Sequence, residues 1–568
     1  MRTTSGCETK PQNTNKLCKN LFQEERTVEN TSETVLIIGA GPAGMMAAIE
    51  LSRFGILVRL IERTTKPADT SRAVTIQPRT LELFQQRGLA EKLVPKGNKV
   101  VAASVYGAGK RVFRLDFEGV DSEYNYELLV SQATTEQVMR DALEQQGVLI
   151  ERESTLISFA QPERNGDITA VLQHGDGTLE KVACRYMIDC EGAHSIARST
   201  LGLEFAGETF EENYALGDLY IDGEIPQTDL NIFSSEHGFM GLFPMGDGRF
   251  RLIASNPFSK PEKGTEPAIE ELQRIYDQRS HIPAHFHDMT WSSWFRINSR
   301  MVDVMQKGQI FLGGDSAHIH SPAGGQGMNT GMQDMINLCW KLAMVIKGQA
   351  KPELLMTYTP ERVAVIKTVL TKTEGLTHAI GSENPIFRSV FNHIAPWIVS
   401  TDFVQKNSTE RMCQLSLDYR DSPMSTANGH AGSLKPGDRV PDFAVTVLNQ
   451  EGSVEQEPRP ASILELMDPS TFTLFYSNIK DPAKTHATIE GNLGAFHGII
   501  RGHQIAHRGQ QDVVFNAKFG SSSSILLVRP DGYIAFSGTE ESVPKLAEYC
   551  DKWLVAQPLP VNKEENHA

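Results

Sequence analysis

The sequence predicts a mixed α/β protein, and three features of its 568 residues indicate this class. Near the N-terminus, an apolar run at 34–38, a glycine-rich turn, a helical pattern and a second apolar run at 56–61 follow in the order of a βαβ unit. Residues 148–190 alternate apolar and polar side chains, as strands with one buried face do. From 436 onwards, strand and helix patterns mix again over roughly 120 residues, which predicts a second α/β unit.

The composition restricts the class of protein. Hydrophobic residues make up 40% and charged residues 22%, which is typical of a soluble globular chain with a sizeable core. The net charge of −15 repels phosphate backbones, so we expect no nucleic-acid partner. No apolar run reaches the roughly 18 residues of a membrane span, so we expect no membrane span. The seven cysteines are scattered without a CxxC pair, which disfavours a zinc ribbon and fits a reducing, cytoplasmic compartment.

Shifts in composition divide the chain into parts. The first residues are polar and lack hydrophobic periodicity, and the stretch before the second α/β unit is rich in Ser, Asn and Gly. We predict a disordered tail at 1–33, a main unit at 34–405, a linker at 406–435, a second unit at 436–557 and a tail at 558–568.

A glycine fingerprint lies in the first βαβ unit. Gly39, Gly41 and Gly44 follow a buried strand and open a helix, and Glu62 stands at the end of the next strand. In this context the glycines allow a tight turn, approach of a pyrophosphate to the backbone and close helix packing, while Glu62 can accept from ribose hydroxyls. The pattern predicts a dinucleotide site; a glycine-rich turn that binds nothing is the alternative.

A second glycine-rich segment favours FAD over NAD as the dinucleotide. Asp315 stands at the end of a predicted strand, where it can hold a polyol hydroxyl. Gly327, Met328 and Asn329 open a long predicted helix, whose free N–H groups favour an anionic ring such as reduced flavin.

These motifs together resemble those of the single-component FAD-dependent aromatic hydroxylases of the para-hydroxybenzoate hydroxylase and phenol hydroxylase type. The matching segments are 39–44, 71–73, 79–82, Gln132 and 313–340, within a resemblance over about 34–423. Segments 436–443 and 527–533 resemble the thioredoxin-like domain of the phenol hydroxylase branch.

The resemblance implies a Rossmann-like FAD domain interleaved with a β-sheet substrate domain at about 200–300, followed by a thioredoxin-like domain. It implies that Pro322 presents its backbone beside the flavin. The residues implied to bind FAD are Gly39, Gly41, Pro42, Ala43, Gly44, Glu62, Arg63, Arg72, Gln132, Asp315, Gly327, Met328 and Asn329. One position departs from the family: Glu191 stands where an Asp that touches FAD and the nicotinamide cofactor is usual.

The sequence gives fewer indications of the substrate pocket than of the FAD site. Aromatic residues at 231–243 and 291–295 fall where this family builds its substrate pocket, and His237 could hydrogen-bond or deprotonate a phenol. A histidine with a surface or core role remains the alternative. His318 and His320 have a spacing that suits a metal, but no third ligand lies nearby in sequence, so we predict no metal site.

The resemblance implies hydroxylation of an aromatic, phenolic substrate. NADPH or NADH would reduce the flavin, and O₂ would add to it as a C4a-hydroperoxide that the ring attacks. Three alternatives stay open: epoxidation, Baeyer–Villiger insertion in a secondary-metabolite pathway, and a flavin-binding protein without turnover. A homodimer is a further expectation.

Overall fold

A computed structural model describes most of the chain, namely residues 35–68, 73–162, 166–256, 265–321, 324–381, 402–429, 432–450, 459–507 and 512–558. The tails predicted at 1–33 and 558–568 lie outside these ranges, apart from residue 558. Within them, no helix combines the length and the apolar character that crossing a bilayer requires.

The strands are numbered in chain order. They are β1 Val35–Ile38, β2 Val58–Ile61, β3 Thr75–Ile76, β4 Asn98–Val100, β5 Ala102–Gly107, β6 Lys110–Asp116, β7 Glu127–Leu129, β8 Ile150–Glu151, β9 Ser154–Ala160, β10 Ile168–His174, β11 Leu179–Cys184, β12 Tyr186–Asp189, β13 Ala206–Gly223, β14 Asp229–Ser235, β15 Gly238–Gly246, β16 Arg249–Asn256, β17 Ala284–Met301, β18 Gln306–Lys307, β19 Ile310–Leu312, β20 His318–Ile319, β21 Thr426–Asn428, β22 Ala444–Gln450, β23 Arg459–Ser462, β24 Phe472–Ser477, β25 Ile500–Ala506, β26 Ser524–Val528 and β27 Ile534–Gly538.

The α-helices are numbered in the same way. They are α1 Pro42–Arg53, α2 Pro78–Gln85, α3 Ala90–Leu93, α4 Gln132–Gln145, α5 Ile196–Thr200, α6 Ile269–Ser280, α7 Gly327–Ile346, α8 Tyr358–Gly381, α9 Asp402–Met412, α10 Ile463–Leu466, α11 Pro482–Leu493, α12 Asp512–Phe519 and α13 Val543–Trp553. Short 3-10 helices are Val94–Lys96, Gly314–Ser316, Pro352–Thr357, Gly494–Phe496 and Glu540–Ser542.

A six-stranded sheet in the order β18-β19-β12-β1-β2-β8 forms the centre of the main unit. The strands from β19 to β8 run parallel, with β1 paired to both β12 and β2. All four residues of β1 are buried, which agrees with its continuous apolar run. The predicted βαβ unit is therefore present as β1, α1 and β2, and the carboxyl ends of these parallel strands meet at one edge.

An eight-stranded sheet in the order β20-β17-β13-β16-β15-β14-β5-β6 makes up the second layer of the main unit. Its two long strands, β13 and β17, pair antiparallel over most of their length. Helix α6 packs on one face, where it joins the apolar cluster around Phe233 and Leu252. A sheet is present at about 200–300, where the sequence predicted a substrate domain, and it also includes the β5–β6 hairpin from residues 102–116, which lie far away in sequence.

A seven-stranded sheet in the order β21-β27-β26-β24-β25-β22-β23 forms the C-terminal unit. Strand β24 runs parallel to β25 and antiparallel to β26, and β26 runs antiparallel to β27. With α11, α12 and α13, these strands follow the order βαβαββα along the chain.

The segment predicted as a linker at 406–435 is largely packed. It contributes the end of α9 and the edge strand β21, and it buries Leu415, Tyr419 and Met424. We therefore correct the linker prediction for this segment: its Ser and Gly residues mark turns, while apolar residues between them fill the space between the units.

The C-terminal unit shares a core with the main unit. Trp340 in α7 meets Phe472 in β24 edge to face, with ring centroids 5.4 Å apart. Ala350 forms a β-bridge with Leu554 after α13. One contiguous hydrophobic cluster includes residues of both units, so they pack as two parts of one body.

Candidate active site

A cavity of about 540 Å³ opens at the carboxyl ends of the parallel strands, between the six-stranded and the eight-stranded sheets. One side is formed by the two glycine-rich segments that the sequence singled out. The other side comes from the eight-stranded sheet, through the apolar residues Leu216, Phe243, Ile253, Phe295 and Ile297 together with the polar residues Arg296 and Asn298. The cavity therefore lies between a polar wall that is rich in backbone groups and a mainly apolar wall, which we call the apolar wall.

The glycines of the first segment have different reasons to be glycine. Gly39 has a φ of +94°, and a Cβ there would lie 2.4 Å from the carbonyl oxygen of Cys190. A Cβ on Gly44 would lie 1.8 Å from the carbonyl oxygen of Gly39, so helix and turn could not pack. A Cβ on Gly41 would meet no atom within 4 Å in the described part of the chain, although Gly41 lines the cavity. The fold needs Gly39 and Gly44, whereas the open space at Gly41 fits a pyrophosphate.

Glu62 stands beside this turn at the end of β2. Its Oε2 accepts a hydrogen bond from the backbone N–H of Ala40 at 2.9 Å, and its Oε1 accepts one from Thr64 at 3.0 Å. These bonds hold the carboxylate at the cavity wall, and each oxygen keeps a further lone pair for a ribose hydroxyl. Arg63, which is exposed, lines the same end of the cavity.

Asp315 lies in the 3-10 helix that follows β19, where its exposed side chain lines the cavity. Its neighbour Gly314 has a φ of +60°, and a Cβ there would lie 3.0 Å from the Cβ of Ala43. The loop that carries Asp315 is thus wedged against the first glycine turn. A carboxylate so placed can accept hydrogen bonds from the hydroxyls of a polyol chain.

Gly327 and Met328 line the cavity at the N-terminus of α7, whose free N–H groups favour negative charge. Asn329 is buried, and its side chain is occupied by the backbone. Its Nδ2 donates to the carbonyls of Thr75 and Gly325, at 2.8 and 2.9 Å, and its Oδ1 accepts from the N–H of Gln77 at 3.0 Å. The Asn329 side chain therefore ties β3 to the glycine-rich loop, a role that the sequence did not suggest.

Other predicted site residues fall in different places. Pro42, Ala43 and Gln132 line the cavity, and Gln132 Nε2 also donates to Glu136 Oε1 at 2.8 Å. Arg72 and Pro322 lie outside the described residues.

His237 lies in the turn between β14 and β15, with 41% of its side chain exposed, and is not among the residues that line the cavity. Phe243, which does line it, stands six residues further along, about 20 Å away on an extended strand. His237 therefore does not contact this cavity directly, and a role for it in deprotonating a phenol stays a prediction.

Glu191, at the position that departs from the family, also lines the cavity. Its Oε2 accepts a hydrogen bond from the backbone N–H of Ile196 at 2.9 Å, and burial raises the pKa of its carboxyl. The neighbouring Asp189 is fully buried, and burial raises its pKa to about 7. Both carboxyls thus organise the turn after β12, and any contact of Glu191 with a nicotinamide stays a prediction.

Buried polar residues behind the cavity wall were missed by sequence reasoning. Asp334, Asn337 and Lys341 lie at i, i+3 and i+7 of the otherwise apolar helix α7, and all three are buried. This spacing on one face of an apolar helix was the signal that could have found them.

A buried carboxyl in β7 supports the same wall. Gln77 Nε2 donates to the carbonyl of Gly324 at 2.9 Å, and Gln77 also faces the carboxyl of Glu127. Neither Gln77 Oε1 nor Glu127 Oε1 has a donor among the residues the structure describes. Burial raises the pKa of Glu127 to about 8, against a hydrogen bond from Gln77 that lowers it, so at neutral pH this carboxyl holds a proton.

We expect Glu127→Gln to raise the thermal unfolding midpoint at pH 8 and to change it little near pH 5. The unfolded chain releases the Glu127 proton near pH 4.5, whereas the folded protein keeps it to about pH 8. Folding stability therefore falls as pH rises between these values, by up to about 5 kcal/mol. The neutral amide of Gln removes this loss.

The measurement is thermal unfolding of both proteins at several pH values. Glu123→Gln, which changes an exposed carboxyl in the same region, serves as the matched control and should show no such dependence. A Glu127→Gln effect of equal size at pH 5 and pH 8 would contradict the prediction.

Residues 32–373 match the family described as FAD binding domain. The 6-methylpretetramide 4-monooxygenase of Streptomyces rimosus is 32% identical over 528 residues, which cover 90% of this chain and 92% of that protein. The pentachlorophenol 4-monooxygenase of Sphingobium chlorophenolicum is 32% identical over 419 residues, which cover 73% and 76%.

Solved structures share the architecture. The anhydrotetracycline hydroxylase OxyS from Streptomyces rimosus gives a TM-score of 0.73 at 24% identity and covers 93% of this chain and 99% of its own. CabE, an aromatic hydroxylase from angucycline biosynthesis, gives a TM-score of 0.70 at 26% identity and covers 89% and 96%. Both likenesses extend through the C-terminal unit, since they cover nearly the whole chain.

Proposed function

Because the chain belongs to the single-component FAD-dependent aromatic hydroxylases, we propose that its cavity holds FAD along the glycine-rich wall and a phenolic substrate against the apolar wall. The observation that carries this proposal is the open space over Gly41, which no contact within the described chain explains. It lies in the same cavity as Asp315 and the start of α7, as one extended dinucleotide requires.

The proposed roles follow from position. Gly41, Pro42 and Ala43 face the pyrophosphate, Glu62 and Arg63 the adenosine end, and Asp315 the ribityl chain. The N–H groups of Gly327 and Met328 face the pyrimidine edge, with Gln132 along the chain. When bound, FAD accepts a hydride from NAD(P)H and activates O₂. The protein binds and orients both ligands, and the apolar wall excludes water from the reacting ring.

The substrate class rests on the apolar wall and on the relatives. Leu216, Phe243, Ile253, Phe295 and Ile297 offer van der Waals contact and ring stacking, which suits a flat aromatic molecule, and Arg296 adds one charged side chain to this wall. The names of two relatives specify 6-methylpretetramide and pentachlorophenol as the compounds that those proteins act on. We propose hydroxylation of an electron-rich phenolic ring, with epoxidation or Baeyer–Villiger insertion as the outcome that product analysis would distinguish.

We further propose that the C-terminal unit is thioredoxin-like, supported by its βαβαββα order and strand pairing. Its single cysteine, Cys550, is buried in α13, and burial raises the pKa of that thiol, so dithiol exchange within the unit is not possible. The homodimer stays a prediction.

We expect Asp315→Ala to raise the Kd for FAD by about tenfold to a hundredfold, because a charge-assisted hydrogen bond contributes about 1.5–3 kcal/mol. Titration of the apoprotein with FAD, followed by fluorescence, measures this change. An unchanged Kd would remove Asp315 from the proposed site.

The reaction itself is tested by NAD(P)H oxidation with a panel of phenols. A true substrate should accelerate flavin reduction and yield a product with one oxygen atom from labelled dioxygen. Equal reduction rates for all phenols, with no oxygenated product, would favour a flavin-binding protein without turnover.

A further inference from the structure

The C-terminal unit reaches the packed segment before it through an aromatic contact. Tyr533, in the turn between β26 and β27, packs on Tyr419 with ring centroids 4.3 Å apart. The guanidinium of Arg529 lies 5.0 Å from the centre of the same Tyr419 ring. Both tyrosines are buried, so Tyr419 lies in a closed contact with the docked C-terminal unit.

Tyr419 in turn holds a buried arginine of the main unit. Arg362, in α8, donates from Nη1 to the Tyr419 hydroxyl at 2.8 Å. It also donates from Nε to Asp334 Oδ1 at 2.7 Å and from Nη2 to the carbonyl of Thr330 at 3.2 Å. A planar guanidinium with three such bonds has one orientation only, and Lys could not reproduce it.

Asp334 carries the connection to the cavity wall. Its Oδ2 accepts from the backbone N–H of Gly314 at 3.0 Å and lies 2.7 Å from His318 Nε2. Gly314 and His318 stand on either side of Asp315, so Asp334 holds both ends of the short loop that carries it. Since Asp334 and Arg362 are fully buried, water cannot replace a lost bond in this chain.

We propose that the C-terminal unit positions the flavin loop through Tyr419, Arg362 and Asp334, which makes these three positioning residues for FAD binding. The proposal rests on the proposed placement of Asp315 against the ribityl chain. On this proposal the function of the C-terminal unit is to position the loop, and this function requires neither redox chemistry nor a partner protein. The contacts form a continuous series from Tyr533 to Gly314, first a ring contact and then three hydrogen bonds. Removal of any one of them should change the affinity for FAD.

The test is a double-mutant cycle on FAD affinity in the full-length protein. Tyr419→Phe removes one hydroxyl and keeps the ring that packs on Tyr533, so the fold is retained. We expect it to raise the Kd for FAD by about tenfold, because Arg362 loses a buried acceptor. Combined with Asp315→Asn, it should cost less than the product of the two single effects, because both changes act on one loop.

Tyr549→Phe is the matched control. The Tyr549 hydroxyl donates to the carbonyl of Met424 at 2.9 Å and is buried, and in the described structure it makes no direct hydrogen bond to Tyr419, Arg362 or Asp334. This variant should lower the thermal midpoint about as much as Tyr419→Phe does and leave the Kd for FAD unchanged.

Equal FAD affinity in Tyr419→Phe and wild type, with Asp315→Asn weakened, would overturn the inference alone. The inference alone would also be overturned if the double variant raised the Kd for FAD by the product of the two single effects. A wild-type Kd in Asp315→Asn would overturn both the inference and the proposed placement of Asp315.

Discussion

Gly41→Val is expected to yield a folded protein that has lost FAD. The Kd for FAD should rise by about a hundredfold or more, because a side chain at this position occupies the space where the pyrophosphate meets the backbone. The purified variant should be colourless, whereas the wild-type protein should be yellow.

The fold itself should accept this change. Gly41 precedes α1 with φ −75° and ψ −177°, an extended conformation that a β-branched residue adopts without strain. A Cβ at this position meets no atom within 4 Å in the described structure. The substitution should therefore weaken FAD binding and leave the stability of the folded protein nearly unchanged.

Gly44→Val provides the contrast within the same turn. Its Cβ would lie 1.8 Å from the carbonyl oxygen of Gly39, so the turn and α1 could not pack as they do. We expect this variant to unfold or to be insoluble. Circular dichroism and thermal melting of the apoproteins separate the two cases, and FAD titration completes the comparison. A Gly41→Val protein that binds FAD with wild-type affinity would contradict the assignment of this turn.

Local patterns made the glycine-rich wall of the cavity predictable. Gly39, Gly41, Gly44 and Glu62 lie within 24 residues, and each acts through the backbone conformation or strand end that it occupies. The same holds for Asp315 and the start of α7. Such motifs need only one strand, one turn and one helix, all of which the apolar periodicity indicates.

The wall from the eight-stranded sheet was less predictable, because it depends on the register between distant strands. His237 and Phe243 were candidates from one stretch, yet only Phe243 lines the cavity, since the β14–β15 turn carries His237 to the far end of the sheet. Aromatic content indicates the region but not which of its residues line the cavity. Only the pairing of β13 with β16 and β17 brings Leu216, Ile253 and Phe295 together.

Buried charges were the least predictable feature. The sequence at 406–435 is polar enough to indicate a linker, but Tyr419 within it packs between the units. Charged side chains usually lie on the surface, but three of them, Arg79, Arg529 and Glu361, are buried. Their partners are separated from them in sequence by up to several hundred positions. No local sequence pattern predicts such buried ion pairs, because they become buried only when the C-terminal unit packs against the main unit.

Arg529→Met is expected to destabilise the protein by about 3–5 kcal/mol, the range for removing one partner of a buried ion pair. Arg529 donates to both oxygens of Glu361 in α8, at 2.8 and 3.0 Å, and from Nε to Asp531 Oδ1 at 2.9 Å. Burial alone would raise the pKa of Glu361, but Arg529 and Lys341 hold it well below its usual range. Without Arg529, one ammonium faces the carboxylates of Glu361 and Asp531 in a site closed to water.

Arg501→Met is the matched control for this loss of charge. Arg501 lies in the same unit and pairs with Asp468 at 2.8 Å, but 56% of its side chain is exposed. Its removal should cost no more than about 1 kcal/mol, since water screens and replaces an exposed pair. Denaturant unfolding of the three proteins gives both free energies from the shift of the midpoint at constant slope. If both substitutions lowered the free energy of unfolding equally, the prediction would be contradicted. The buried Arg529 network would then stabilise the protein no more than the exposed Arg501 pair does.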